Sequence, residues 1–108
     1  MNTDSILLTV KTHCNVSTED TSFDGELIEH INTILSILPQ LGIGPDEGFA
    51  IENKTDEWSD FLPVDSKIGL IKGYVGKRVR LQFDPPSNSQ HLEALKAAIS
   101  ELESRITY

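Results

Sequence analysis

A mainly α-helical fold, a small bundle of about four helices with a long loop or a short β-hairpin in the middle, is what this sequence predicts. Three observations carry the prediction. Phe23, Leu27, Ile31, Ile34, Leu35 and Leu38 form one apolar stripe that Pro39, Gly42 and Gly44 bring to a stop. Leu92, Leu95, Ile99, Leu102 and Ile106 recur at spacings of 3, 4, 3 and 4, the seam of a helix packed lengthwise on another. Finally, 108 residues with 38% hydrophobic content suffice for one core in a single domain over residues 1–108, and not for two.

Taken in order, residues 4–14 read as a first short helix. Asp4 is placed to cap it, and Ile6, Leu7, Val10 and Cys14 share one side. Residues 15–21 are polar and turn-rich. The second helix covers residues 22–38, with Asp24, Glu26 and Glu29 toward its start, where negative charge suits the helix dipole. Residues 42–53 read as a loop, with Phe49-Ala50-Ile51 as a candidate short strand. Thr55 is then expected to cap a helical turn whose first positions are Asp56 and Glu57. Trp58, Phe61 and Leu62 lie three and four apart on that turn and can plug the core. For Trp58, the only tryptophan, a core anchor and a partner contact are the two readings.

Residues 64–83 admit two windings. As strands, Arg78 to Phe83 alternate polar and apolar, with a turn near Gly76. As a helix, Ile68, Ile71, Val75 and Val79 make one stripe and Leu70, Tyr74 and Leu81 a second. The helix is the favoured winding, since two stripes suit an element buried between neighbours. Gly69, Gly73, Gly76 and Arg80 then share a bare face that would let another backbone approach, although each glycine costs about 1 kcal/mol relative to alanine. Asp84 precedes a proline and ends this element, and Phe83 can pin the Phe83-Asp84-Pro85-Pro86 corner to the core. Ser87 and Gln90 read as the capping box of the last helix, which ends near Ile106 and carries a Glu101–Arg105 pair.

The formal charge of −8 is unevenly spread. Residues 1–60 hold twelve acids against Lys11 and Lys54, or −10, while residues 61–108 hold five acids against seven bases, or +2. An acidic chain repels a phosphate backbone, so unspecific duplex binding is disfavoured. Two oppositely biased sides suit head-to-tail stacking of copies. Each exposed pair contributes only about 0.2–1 kcal/mol, so charge would set register and not supply the binding. The one cysteine, Cys14, excludes an internal disulfide and fits a reducing cytoplasm. Met1-Asn2-Thr3-Asp4 shows no basic signal-peptide start, and no apolar run reaches the length of a membrane span.

Chemistry-bearing motifs are sparse. His13, His30 and His91 are scattered without metal-ligand spacing, so no metal is expected. Asp24, Glu26, Glu29 and His30 read as a solvated helix start, and no serine sits in a nucleophile elbow. Gly42-Ile43-Gly44-Pro45 lacks a phosphate-binding lysine and is followed by Asp46 and Glu47. No cofactor and no enzymatic activity are therefore expected. The basic cluster Lys72, Lys77, Arg78 and Arg80 spreads around a helix. Solvated charges, contacts to acidic neighbours and nucleic-acid contacts are its three readings.

The run of landmarks is distinctive: Phe23-Asp24 with Ile28, Ile31 and Asn32; then Thr55, Trp58, Phe61 and Leu62. After these come Ile71-Lys72, Tyr74-Val75, Arg78-Val79-Arg80-Leu81 and Phe83-Asp84-Pro85-Pro86, and last Ile99, Leu102-Glu103 and Arg105-Ile106. This resembles the head–tail connector (adaptor, or head-completion) proteins of long-tailed bacteriophages. The specific part is Tyr74 to Pro86 with the helix after it; the first half matches only as a helix pattern. The resemblance implies a helical fold without enzymatic role in the virion neck, assembled in the host cytoplasm. It implies a ring of about twelve copies beneath the portal. That ring would continue the DNA channel, with DNA only as passing cargo, and offer a platform to the next neck or tail-completion protein. No membrane is involved. The subunit or portal interface is then expected at Lys77, Arg78, Arg80, Asp84, Pro85, Pro86, Arg105 and Ile106, over core anchors Trp58, Phe61, Phe83, Leu95, Ile99 and Leu102. Thr107-Tyr108 leave little tail, so docking would use the last helix itself. The competing class is an acidic DNA mimic or small inhibitor of a host DNA-binding protein. The bases gathered in the second half oppose it, since a mimic needs one continuous acidic surface.

Overall fold

The computed structural model describes residues 4–44, 48–62 and 67–106. Five α-helices follow one another among them: α1 (Ile6–His13), α2 (Asp24–Ile37), α3 (Trp58–Phe61), α4 (Ile68–Phe83) and α5 (Ser89–Ile106). A 3₁₀ turn, Leu38–Leu41, extends α2. The expected mainly helical fold is what the chain adopts, and α4 is its hub, packed against α1, α2 and α5.

The winding of residues 68–83 is settled in favour of the helix. Ile71, Tyr74, Val75 and Val79 are buried on it, because α1, α2 and α5 together enclose most of its circumference. The glycines do not form a free face for another molecule. Gly76 is buried against the ring of His13 on α1, and a Cβ there would lie 2.3 Å from His13 Cδ2. Gly73 faces Leu102 of α5, and only Gly69 has open space around it. Of the three, Gly76 serves the close crossing of α1 over α4.

Several helix starts differ from the sequence reading. Ser5, not Asp4, caps α1: its Oγ accepts from the Leu8 amide at 3.2 Å. Asp4 instead accepts from Ser59 Oγ at 3.0 Å. The short α3 begins at Trp58, capped by a reciprocal Glu57–Asp60 box, while Thr55 turns onto Asn53 Oδ1. Asn88, not Ser87, starts α5, its Oδ1 accepting from the Gln90 and His91 amides. In each case a polar side chain one or two residues away wins, because several neighbours could cap and the tertiary path picks one.

The candidate strand at Phe49-Ala50-Ile51 is not formed. The side chain of Asn32 on α2 takes both backbone groups of Ile51, donating to its carbonyl at 3.1 Å and accepting from its amide at 2.8 Å. Only an isolated antiparallel bridge, Ser5 with Glu57, gives strand-like pairing among the described residues. It ties the 52–57 segment to the start of α1, assisted by Ser5 Oγ donating to the Lys54 carbonyl at 2.7 Å. Pro45, Asp46 and Glu47 lie outside the described residues, as do Thr107 and Tyr108.

The core gathers Leu27, Ile31 and Leu35 of α2 with Ile6, Leu7 and Val10 of α1, under the buried stripe of α4. Trp58 is fully buried and its indole N–H donates to Thr9 Oγ1 at 3.1 Å, so it is the core anchor. Phe61 is buried beside Gly44, whose φ of 85° and lack of a side chain let the ring sit against its backbone.

Candidate functional site

Among the described residues, the surface that gathers unusual side chains is the one made by α4, the Phe83–Pro86 corner and α5. α4 supplies the cations because its other sides are apolar and buried. The corner turns the chain so that α5 lies back along α4. Phe83 is partly buried and meets Phe23 edge-on at 5.3 Å, which fixes the corner to the start of α2. Leu95 and Ile99 are buried and Leu102 is partly buried along the α4–α5 seam.

The four bases that the sequence presents as one cluster have separate fates. Lys72 lies 3.9 Å from Asp4. Arg78 is held within the chain: its Nη1 donates to the Tyr74 hydroxyl at 2.9 Å, and that hydroxyl donates to Glu103 Oε2 at 2.9 Å. This relay crosses from α4 to α5. Burial pushes the Tyr74 hydroxyl above its ordinary pKa, so it remains a donor. Lys77 and Arg80, in contrast, make no ion pair among the described residues, and Arg80 Nε is buried without an acceptor. Arg105 pairs with Glu101 at 2.9 Å, as the sequence anticipates.

Of the other expected interface residues, Asp84 and Pro85 are exposed at the corner and Pro86 is half-buried. Ile106 is a correction. It is 1% exposed and its carbonyl accepts from Lys67 Nζ at 3.0 Å, so it belongs to the core of the protomer.

Two clefts flank the α4–α5 seam. One, of about 320 Å³, lies between Arg78, Leu81, Lys96 and Glu103. The other, of about 330 Å³, is bordered by Lys77, Arg80, Pro86, His91, Ala94 and Ala98. The contribution of His91, Ala94 and Ala98 is not visible in the sequence as a motif. Its one trace is the small-residue pair at i and i+4, which leaves room above Arg80.

Polar features away from this surface are structural. Lys11 is buried and pairs with Asp24 at 2.7 Å while donating to the Asp20 carbonyl at 2.8 Å, so it closes the α1–α2 connection. Burial raises the Cys14 thiol to about 11, which makes it an inert packing group at neutral pH.

The described residues form a small helical module with an apolar interior and with cations along the α4–α5 seam. The family model described as "Phage connector protein" matches residues 6–108. The chain belongs to the phage connector protein family. No curated protein and no solved structure matches it. Membership in that family points to a structural protein of the phage neck, in contact with other head and tail proteins.

Proposed function

We propose that this chain is a ring-forming neck component seated between the portal and the next neck or tail-completion protein. The family match over residues 6–108 is the observation that carries the reading. Several copies repeat around the axis by a heterologous contact, which closes when the rotation does. The ring continues the DNA channel, and DNA passes through it as cargo. Residues 1–108 act as one domain, and the exposed α4–corner–α5 surface meets neighbouring subunits or the portal. Such a role needs rigid surfaces, and the Pro85-Pro86 corner loses little entropy on binding.

Deleting the gene from the phage that encodes it tests this reading. Lysates are expected to contain DNA-filled heads and free tails without complete particles, and cryo-electron microscopy of intact particles to show this chain as a ring below the portal. Complete, infectious particles from the deletion would overturn it.

A further inference from the structure

The cleft between α4 and α5 that holds Lys77 and Arg80 has no counter-charge of its own. No carboxylate among the described residues lines it. Its edge carries Ala94, Ala98 and Pro86, which are small or rigid and leave the cations reachable. The cleft is therefore built for an acceptor.

This chain carries the complement elsewhere. Glu52, Asp56, Glu57 and Asp60 fall within nine residues, against Lys54 alone, and Glu52 and Asp60 are exposed. That segment is fixed beside the start of α1: the Ile6 amide donates to the Asp56 carbonyl at 3.1 Å, and the Trp58 amide to the Asp4 carbonyl at 2.9 Å. Asp4 in turn lies 3.9 Å from Lys72, near the first turns of α4. The cleft begins at Lys77 and Arg80, in the second half of α4. Eight residues of helix separate Lys72 from Arg80, about 12 Å along the axis. The acidic segment is thus anchored near the first half of α4 and the cleft lies in its second half, and no ion pair joins them within one molecule among the described residues.

We propose that the Lys77–Arg80 cleft receives carboxylates of the 52–60 segment from a second copy of this chain. The contact is heterologous, so each copy still offers a free segment and a free cleft to the next. This rests on the ring reading and deepens it by naming the two surfaces that meet. Lys77 and Arg80, which make no ion pair within the chain among the described residues, each gain a counter-charge. A phosphate backbone fits less well, because the chain is −8 overall and the same acidic segment would repel it.

The test measures self-association by sedimentation equilibrium at about 20 mM salt and again at about 0.3 M, where the Debye length falls below about 6 Å. Four proteins are compared: wild type, K77E/R80E, the surface variant K77E/H91E and E52K/D60K, each checked for native helicity by circular dichroism. Wild type is expected to associate at low salt and weaken with added salt. Each reversal should weaken association at least about tenfold. An equimolar mixture of K77E/H91E with E52K/D60K should recover mixed complexes, since opposite charges again face one another. A wild type that stays monomeric up to millimolar concentration would overturn this contact. So would association that K77E/H91E leaves unchanged. Duplex DNA that shifts the Lys77 and Arg80 NMR signals of a non-associating wild type would reassign the cleft to phosphate. None of those results touches the ring reading, which stands or falls on the deletion phenotype and the particle structure.

Discussion

At the scale of single residues, the two central glycines of α4 have opposite roles. Gly73→Ala would place its Cβ 3.8 Å from Leu102, an ordinary contact, and would remove the entropic cost of a mid-helix glycine. It should raise stability by about 0.5–1 kcal/mol in urea unfolding. Gly76→Ala would drive its Cβ to 2.3–3.0 Å from His13 and force the α1–α4 crossing apart. It should lower stability by about 1–3 kcal/mol despite better helix propensity. The same packing sets a pH dependence. Burial, and then the charge of Lys77, hold the His13 imidazole below its ordinary pKa. Above about pH 6.5 both folded and unfolded chains carry it neutral, and its contribution is complete. As pH falls below that value the unfolded chain takes up the proton first, so stability declines until the folded pKa is passed. The slope has a ceiling of about 1.4 kcal/mol per pH unit, and His13→Gln should flatten the decline that sets in below about pH 6.5.

At the scale of elements, periodicity made the long helices legible and local chemistry misplaced their starts. α2 and α5 follow from stripes of apolar residues, and α4 from two such stripes flanking glycines. Caps were less legible, because Ser, Thr, Asp and Asn crowd the segments before α1, α3 and α5, and any of them could serve. Nothing near Ile51 in sequence announces that Asn32, on another element, satisfies its backbone and removes the need for a strand partner. The Lys11–Asp24 pair was equally hidden: nothing beside Lys11 in the sequence marks its partner, yet it is buried and clamps the connection from α1 to α2. Asp24→Asn leaves that ammonium with only carbonyl partners. Because the Asp24 side chain is 29% exposed, the loss should lie between surface and buried pairs, about 1–3 kcal/mol in chemical denaturation.

For the whole molecule, α4 is the element that the others need. It touches α1, α2 and α5, so none of them keeps its apolar face covered once α4 leaves. Amides around Val75 and Val79 should therefore exchange hydrogen slowest, with a free energy equal to that of global unfolding. The exposed first turn of α5 should exchange fastest among the helices. Slow exchange confined to α2 would show a different hub. The division of charge between the chain's halves is also a whole-molecule property. It becomes spatial only because the 52–60 segment is tied to the start of α1 while Lys77 and Arg80 face α5.

The helical class, the long helices and the corner at Phe83–Pro86 were legible in the sequence, because periodicity, proline and apolar content act within a few residues. It also carried the resemblance that the family match over residues 6–108 bears out. The tertiary structure decided which bases are engaged and which remain open, that Gly76 receives His13, that Ile106 lies inside, and that the middle segment is held by side chains. Those outcomes depend on partners distant along the chain, Trp58 with Thr9 and Tyr74 with Glu103 among them. Spacing within one segment cannot encode them, since they exist only once the helices have packed.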